Sequence, residues 1–203
     1  YRTGAATGVA TDVLARRDST TLGIIGTGKQ APYQAKAILT VRPSINRIKV
    51  YNRTEQRARA FKELYEEDFG VDIRVVSLEE AVDSDIVTTL TTATEPFIPP
   101  HLIKPGTHLN GVGADSKTKI EFDPDVLKKS TIVVDDFAQC IHSGEVYQGL
   151  ERGLLKKEDL IPLGDVVLGK ARGRTSADDI TFFKSTGVAF EDLITAIIVF
   201  ESL

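Results

Sequence analysis

The stretch TLGIIGTGKQA, residues 21–31, decides the fold because it places two glycines between a strand pattern and a helix pattern. The apolar run 21–26 is typical of a buried strand, and 30–41 has helical periodicity. At their junction Gly26, Gly28 and Ala31 form G-x-G-x-x-A. In such a loop the first glycine permits a tight turn and the second lets backbone N–H groups approach a pyrophosphate. An ordinary strand-to-helix turn is the simpler alternative, so the flanking sequence must decide.

Short apolar runs alternate with amphipathic stretches downstream of this loop. Beyond residue 136 the sequence predicts helical pieces at 137–153 and 158–173, joined by polar turns, then a last strand at 178–187 and a final helix at 190–203. The predicted strands before that point are 21–26, 47–51, 72–76, 85–90, 107–113 and 131–136, and the predicted helices between them are 30–41, 54–69 and 77–83. Ser77 and Glu80 form a capping box that starts the last of these helices. The alternation predicts an α/β fold with a doubly wound parallel sheet of the Rossmann type. It therefore favours a dinucleotide-binding loop over an ordinary turn.

The overall composition argues against several classes of partner. Twenty-nine acidic residues against 25 basic ones give a net charge of -4, and no stripe of Lys and Arg could follow a nucleic acid. The longest apolar stretch, 193–200, is far short of the roughly 20 residues that cross a bilayer. We therefore expect a cytoplasmic protein without nucleic-acid or membrane partners. Cys140 stands alone and the three histidines are far apart, so no metal site is predicted.

The segment YNRTEQR, residues 51–57, predicts which dinucleotide is bound. In this fold the residue that ends the second strand faces the adenosine ribose, where a carboxylate would repel a 2′-phosphate. Asn52 carries no charge, whereas Arg53 offers a planar cation that can fork onto a phosphate. Thr54 can cap the next helix or contact the phosphate, and Arg57 can point to the same region. The segment favours NADP(H), with NAD(H) and a simple solvated turn as the alternatives.

Six segments carry a resemblance to a known family. They are RTGAATGVAT (2–11), GIIGTGKQA (23–31), DIVTTLTTATEP (85–96), HLNGVGADSKTKIEFD (108–123), VVDDFAQCIHSGE (133–145) and ITFFKSTGVAFED (180–192). In this order, and across nearly the whole chain, they resemble the ornithine cyclodeaminase/mu-crystallin family. Its members include ornithine cyclodeaminases, archaeal-type alanine dehydrogenases, ketimine reductases and mu-crystallin. The Asn-Arg-Thr triplet is similar to that of NADPH-using mu-crystallin, whereas the family's cyclodeaminases carry an acid there and use NAD.

The resemblance implies roles for individual residues of these segments. Arg2 and Thr186 are expected to bind the substrate, since a guanidinium can clamp a carboxylate with two hydrogen bonds. The residues expected at the cofactor are Arg2, Thr3, Gly26, Gly28, Lys29, Gln30, Asn52, Arg53, Thr54, Arg57, Thr91, Val112, Lys119 and Ser185. Asp135 and Asp136 are interpreted as loop and cap residues rather than as metal ligands.

Asp115, in the sequence GVGAD, matches the catalytic acid of the family. Oxidation of an amino acid at Cα requires a neutral amine, so a nearby base must take the ammonium proton. In the reductive direction the same group supports protonation of the imine. An apolar nicotinamide pocket would suit Asp115 to this role, because burial favours the protonated form of a carboxyl group. A loop-capping aspartate is the structural alternative.

The resemblance also bears on domain organisation and activity. It implies that a preceding N-terminal segment supplies a substrate-binding lysine and much of a homodimer interface. We therefore divide the chain into a linking helix, 1–18, a Rossmann core, 19–145, and a C-terminal helical extension with a return segment, 146–203, the terminal helices belonging to a second domain. The expected activity is NAD(P)H-dependent interconversion of a small amino acid and its imine or keto form. Ornithine cyclodeamination and NADPH binding without turnover are the alternatives.

Overall fold

The computed structural model describes residues 1–202, in which helices and short strands alternate. The helices are α1 (Arg2–Leu14), α2 (Ala31–Val41), α3 (Glu55–Phe69), α4 (Leu78–Val82), α5 (Phe137–Cys140), α6 (Gly144–Glu151), α7 (Leu163–Val167) and α8 (Ala189–Glu201). The strands are β1 (Thr21–Ile25), β2 (Arg47–Tyr51), β3 (Asp72–Val75), β4 (Ile86–Thr89), β5 (His108–Gly111), β6 (Ser130–Val134), β7 (Leu160–Pro162) and β8 (Ile180–Lys184). Short 3₁₀ turns lie at Pro100–Leu102, Pro124–Lys129 and Lys157–Asp159.

All eight strands join one parallel sheet in the order β3-β2-β1-β4-β5-β8-β6-β7. From β1 the chain moves outward to β2 and β3, and then returns to place β4 on the other side of β1. Strand order therefore reverses between β1 and β4, which is where open α/β sheets bind ligands. The prediction of a doubly wound parallel sheet of the Rossmann type is confirmed.

The sheet is covered on both faces, as parallel sheets are. Every residue of β4 and β5 is buried, while β2, nearer one edge, alternates between buried and half-buried positions. One apolar cluster includes Ile24 and Ile38, which lie on β1 and α2. A second includes Phe122 and Phe182, whose rings meet edge to face at 5.3 Å. These two clusters fix the strands whose ends carry the candidate site.

Helix α1 packs closely against α2 through two glycines one turn apart. A Cβ atom at Gly4 would lie 2.6 Å from the carbonyl oxygen of Tyr33, and one at Gly8 would lie 3.3 Å from the Cβ of Ala37. The absence of side chains at both positions lets the two backbones approach. This packing holds the start of α1, and with it Arg2, near the loop that follows β8, where Gly187 lies.

The structure confirms most predicted elements and corrects one. The capping box of α4 is present, with Glu80 N–H donating to Ser77 Oγ at 3.2 Å and Ser77 N–H donating to the Glu80 carboxylate at 3.0 Å. The prediction that 158–173 forms only helical pieces is wrong, because Leu160–Pro162 is strand β7 and pairs with β6. Three residues are too few to show a period of two, and the helix that follows dominates the pattern.

The final helix and the predicted division of the chain into three parts concern the two ends of the sequence. The predicted final helix is present as α8, and Leu203, which closed the predicted segment, lies outside the described residues. The division into 1–18, 19–145 and 146–203 stays a prediction, with β7 and β8 sharing one sheet with the strands of the core. Within residues 1–202, no helix combines the length and the apolarity that crossing a membrane requires.

Candidate functional site

The predicted site residues converge on one edge of the sheet because they follow parallel strands. The loops after β1, β2, β4, β5 and β8 begin at Gly26, Asn52, Leu90, Val112 and Ser185. Since all strands are parallel, their carboxyl ends lie on the same edge, and the loops there line the crevice at the switch point. Arg2 joins this edge from α1, where its guanidinium approaches Gly187.

The glycine loop leaves free backbone donors in open space. Gly26 adopts a left-handed conformation with φ of 95°, and its N–H donates to the carbonyl of Tyr51 at 2.9 Å. A Cβ built at Gly28 meets no atom within 4 Å. Within residues 1–202 the N–H groups of Gly28, Lys29 and Gln30 have no hydrogen-bond acceptor.

Helix α2 starts directly after these free donors. It has no side-chain cap, and the partial positive charge at its N-terminus faces the same open space. Lys29 and Gln30 are both exposed beside it. Free N–H groups, a helix terminus and an unobstructed glycine suit the pyrophosphate of a dinucleotide.

Asn52 connects the glycine loop to the start of α3. Its side-chain oxygen accepts the N–H of Thr27 at 3.3 Å, and its amide group donates to the carbonyl of Thr54 at 2.9 Å. The uncharged amide therefore joins the two loops that flank the expected adenosine site. A carboxylate at this position could accept from Thr27 but could not donate to Thr54.

Two arginines near Asn52 are exposed. Arg53 and Arg57 form no ion pair with any residue from 1 to 202, because Glu55 is engaged by Arg59 instead. Thr54 precedes the first residue of α3, and its hydroxyl does not cap the helix. This corner therefore presents two guanidinium groups and an uncapped helix N-terminus, an arrangement that attracts anions.

Arg2 is held by carboxylates from the first turn of α8. Its Nη1 lies 2.9 Å from Glu191 Oε2 and its Nε lies 2.5 Å from Asp192 Oδ1. A substrate carboxylate would have to share this guanidinium with Glu191 and Asp192. Thr3, the next residue, is half-buried, and its carbonyl accepts the hydroxyl of Thr7 at 3.2 Å.

Asp135 organises the loop that follows β8. Its carboxylate accepts the hydroxyl of Ser185 at 3.1 Å, the N–H and hydroxyl of Thr186 at 2.6 and 3.1 Å, and the N–H of Gly187 at 2.8 Å. The interpretation of Asp135 as a loop residue is confirmed, and Asp136 caps α5 as expected. The hydroxyl of Ser185, a predicted cofactor contact, is buried and already committed to Asp135.

The thiol of Cys140 lies beneath this loop. It is 3.2 Å from an oxygen of Asp135, and burial together with the charge of Asp135 raises its pKa to about 12. A buried thiol of this kind is chemically inert.

Asp115 lies on the loop that follows β5, and about half of its side chain is exposed. Its carboxylate is 2.7 Å from the ammonium of Lys119, with 52% of the Asp115 side chain and 29% of the Lys119 side chain exposed. The expected apolar enclosure is therefore not formed by residues 1–202. The reason is that Asp115 stands four residues beyond the end of β5, clear of the buried strand ends. Two predicted site residues, Asp115 and Lys119, are thus brought together as a pair.

The remaining predicted contacts, Thr91 and Val112, lie on the two loops between which the crevice opens. Both are half-buried, and Val112 N–H donates to the carbonyl of Thr89 at 3.2 Å. Thr91 N–H donates to Glu121 Oε1 at 2.6 Å. These backbone contacts tie the loops after β4 and β5 to each other and to a buried glutamate.

The sequence interpretation missed three charged residues beneath these loops: Glu121, Glu145 and Lys184 have no exposed surface. Burial and the charge of Glu145 raise the pKa of Glu121 to about 7. The available signal was weak but present, because Glu121 interrupts the apolar run IEF and Lys184 ends the buried strand ITFFK. Charged residues are almost never fully buried without a partner.

Comparison with known proteins assigns the chain to a family. Residues 1–203 match the profile of the ornithine cyclodeaminase/mu-crystallin family. The chain belongs to this family. An alanine dehydrogenase from Archaeoglobus fulgidus is 40% identical over 202 residues, which cover 99% of this chain and 62% of that protein. A Delta(1)-pyrroline-2-carboxylate reductase from Bacillus cereus is 38% identical over 205 residues, covering 98% and 62% respectively.

Solved structures of similar proteins share the fold closely. The Thermococcus litoralis Delta(1)-pyrroline-2-carboxylate reductase, in complex with NADH and L-proline, has a TM-score of 0.94 at 38% identity, covering 98% of this chain and 63% of that one. An archaeal alanine dehydrogenase dimer with bound NAD also has a TM-score of 0.94, at 40% identity, covering 98% and 62%. The chain thus spans about three fifths of the length of these relatives.

Proposed function

We propose that the whole protein is an NAD(P)H-dependent oxidoreductase that interconverts a small amino acid and its imine or keto form. The observation that carries this proposal is the glycine loop at the switch point, with its free N–H groups beside the start of α2. The similar proteins support the reaction class, since they are an alanine dehydrogenase and reductases of pyrroline-2-carboxylate and iminosuccinate. Each of these names describes a substrate with nitrogen on the carbon next to a carboxyl group.

The residues around the crevice suit a nicotinamide dinucleotide, which when bound supplies the hydride or accepts it. Backbone N–H groups of residues 28–30 hold the pyrophosphate, and Lys29 and Gln30 lie beside it. Thr91, Val112 and Lys119 line the nicotinamide half. Ser185 shapes that half through its hydrogen bond to Asp135 rather than through a free hydroxyl.

NADP(H) is the form of the cofactor that we propose. The support is the two guanidinium groups of Arg53 and Arg57, which form no ion pair within residues 1–202, beside the uncapped start of α3. Thr54 contributes a free hydroxyl, and Asn52 places no negative charge near a 2′-phosphate. The relatives with similar structures were solved with NAD or NADH, so NAD(H) is the alternative cofactor.

Asp115 is the residue to which we assign proton transfer. In oxidation it takes a proton from the substrate ammonium, and in reduction it returns that proton to the amine that forms when hydride adds to the protonated imine. Lys119, 2.7 Å away, orients the carboxylate at the mouth of the crevice. Arg2 binds the substrate carboxylate, and Thr186, whose hydroxyl is fixed by Asp135, bounds the same space. We further propose a cytoplasmic homodimer, supported by the archaeal relative described as a dimer.

The test is an absorbance assay at 340 nm on the full-length protein with NADPH and NADH and a panel of amino and imino acids. A net change in absorbance with a cyclic or linear imino acid, or with an amino acid in reverse, is expected. Release of ammonia from ornithine without net absorbance change would instead identify a cyclodeaminase. Saturable NADPH binding without turnover of any panel member would identify a binding protein. Either outcome would overturn the proposal.

A further inference from the structure

Three charged side chains, Glu121, Glu145 and Lys184, lie fully buried beneath the crevice. They come from different parts of the fold: Lys184 ends β8, Glu145 lies on α6, and Glu121 lies between β5 and β6. Burial of a charge is costly unless hydrogen bonds and opposite charges compensate it. The hydrogen-bond and ion-pair partners of these three side chains therefore show which parts of the fold they stabilise.

The Lys184 ammonium binds the loop that carries Asp115. It donates to the carbonyl of Ala114 at 2.5 Å and pairs with Glu145 Oε2 at 2.9 Å. The other oxygen of Glu145 accepts the N–H groups of Glu121 and Phe122 at 2.8 and 3.2 Å. The pair thus anchors the backbone on both sides, at the residue before Asp115 and at Glu121 itself.

The Glu121 carboxylate joins the loop after β4 to the loop after β5. Its Oε1 accepts the N–H of Thr91 at 2.6 Å, while its Oε2 accepts the hydroxyl of Thr89 at 2.7 Å and the N–H of Gly113 at 3.0 Å. The junction has no spare room, since a Cβ at Gly113 would lie 2.3 Å from the carbonyl oxygen of Thr91. One carboxylate therefore bridges the two loops, beside the backbone bonds that the N–H groups of Val112 and Gly113 make to the carbonyl of Thr89.

We propose that Glu121, Glu145 and Lys184 act as one positioning network, which sets the spacing of the two loops beside the nicotinamide and thereby places Asp115. None of the three reaches the crevice, so they act through the backbone of Gly113 and Ala114. The inference rests on the proposed function for its catalytic consequence. Its structural part concerns the protein without any ligand and stands separately.

The test is Glu121→Gln in the full-length protein. Glutamine keeps the size of the side chain but turns one acceptor oxygen into a donor, which then faces the N–H of Thr91 or of Gly113. In the ligand-free protein, amide hydrogen exchange at Thr91, whose N–H has no acceptor but Glu121 within residues 1–202, is expected to speed up about tenfold or more, the equivalent of losing about 1.4 kcal/mol. Exchange at Gly113 is expected to speed up less, because its N–H also donates to the carbonyl of Thr89 at 3.1 Å. Affinity for ADP-ribose 2′-phosphate, which lacks nicotinamide, is expected to stay unchanged, while kcat falls about tenfold or more and the substrate KM changes little.

Phe122→Leu is the matched control. This neighbouring side chain is equally buried but packs on Phe182, so its replacement lowers stability without removing an acceptor from the loops. If Glu121→Gln does not fold, Glu121→Asp, which withdraws the carboxylate by one methylene, is expected to show the same local exchange.

Unchanged rates of amide hydrogen exchange at Thr91 and Gly113 in Glu121→Gln would overturn the proposed network. Equal increases of these rates in Glu121→Gln and in Phe122→Leu would overturn it too. Failure of the proposed function is seen separately, as wild-type protein that binds no dinucleotide while its exchange pattern still responds to Glu121→Gln.

Discussion

Arg53 is the residue on which cofactor choice depends most directly. Its guanidinium and that of Arg57 have no ionic partner among residues 1–202, so neither must break a contact to bind a phosphate. We expect Arg53→Ala to weaken NADPH binding about tenfold to a hundredfold, the range for a lost hydrogen bond to a charged group. Binding of NADH, which lacks the 2′-phosphate, should change less than about twofold. Titration of both reduced cofactors measures the two affinities.

The control for this prediction is Arg59→Ala. Arg59 lies on α3, six residues after Arg53, and is also exposed, but it is paired with Glu55. Its removal should leave both affinities within about twofold of wild type, because a surface pair contributes little. Equal loss of NADPH and NADH affinity in Arg53→Ala would show that Arg53 does not bind the 2′-phosphate.

Asp115 is the residue assigned to proton transfer. We expect Asp115→Asn to lower kcat about a hundredfold to ten-thousandfold, the usual contribution of a positioned acid or base. Cofactor affinity should be retained, because the substituted amide keeps the shape of the side chain. Steady-state kinetics with the substrate found in the panel, together with a cofactor titration, separates the two effects.

Asp125→Asn provides the comparison for Asp115. Asp125 is similarly exposed and pairs with Lys128 three residues later, but it lies in the turn before β6, away from the crevice. The kcat of Asp125→Asn should match that of the wild-type protein. Undiminished turnover in Asp115→Asn would return Asp115 to a loop-capping role.

At the residue scale, the sequence predicted the glycine loop and the corner at 51–57 because short motifs encode them locally. It did not predict the role of Glu121, whose partner Thr89 lies 32 residues away. Such a contact becomes visible only once β4 and β5 are known to be neighbours. The sequence also could not predict that residues 1–202 leave Asp115 half exposed, because that exposure depends on how far the loop extends beyond the strand, which no motif encodes.

The junction of β1 and α2 is the element on which dinucleotide binding depends. Gly28 lies in open space, so Gly28→Ala should leave the free energy of unfolding within about 0.5 kcal/mol of wild type. The added methyl group should nevertheless block the approach of the pyrophosphate and weaken cofactor binding at least tenfold, about 1.4 kcal/mol. Urea unfolding and cofactor titration on the same sample separate stability from binding.

Gly164→Ala is the matched control for this substitution. Gly164 also has no atom near a built Cβ, but it lies in α7, away from the glycine loop. It should leave both stability and cofactor affinity nearly unchanged. Cofactor affinity that survives in Gly28→Ala would place the pyrophosphate elsewhere.

At the element scale, hydrophobic periodicity predicted the strands of the core and the helices between them, because each is long enough to show its period. It missed β7, which has three residues. It also could not predict that β8 enters the sheet between β5 and β6, because pairing between His108 and Thr181 is set by tertiary packing rather than by local sequence.

The stability of the whole molecule should depend on pH through two buried groups with opposite effects. Burial lowers the pKa of His108 to about 3. Its contribution to the free energy of unfolding is therefore present above about pH 6.5 and is lost as pH falls towards 3. Burial and the charge of Glu145 raise the pKa of Glu121 to about 7, so the folded state favours its protonated form. The contribution of Glu121 is therefore lost as pH rises from about 4.5 to about 7.

Glu121→Gln separates these two contributions. Relative to this variant, wild-type protein should lose up to about 1.4 kcal/mol of unfolding free energy per pH unit between pH 4.5 and 7. Urea unfolding across that range measures the difference, and Glu95→Gln, at an exposed position, should show no such slope. A constant difference between wild type and Glu121→Gln would mean that Glu121 does not change its charge on folding.

The whole-molecule account rests on a dinucleotide site at the switch point of the sheet, and a direct titration of the protein with NADPH tests it. The chain contains no tryptophan, so the emission of the reduced nicotinamide is the signal to follow. We expect a saturable change in emission with NADPH, weaker binding of NADH, and loss of the change in Gly28→Ala. Absence of saturable binding of either cofactor to the wild-type protein would contradict the account.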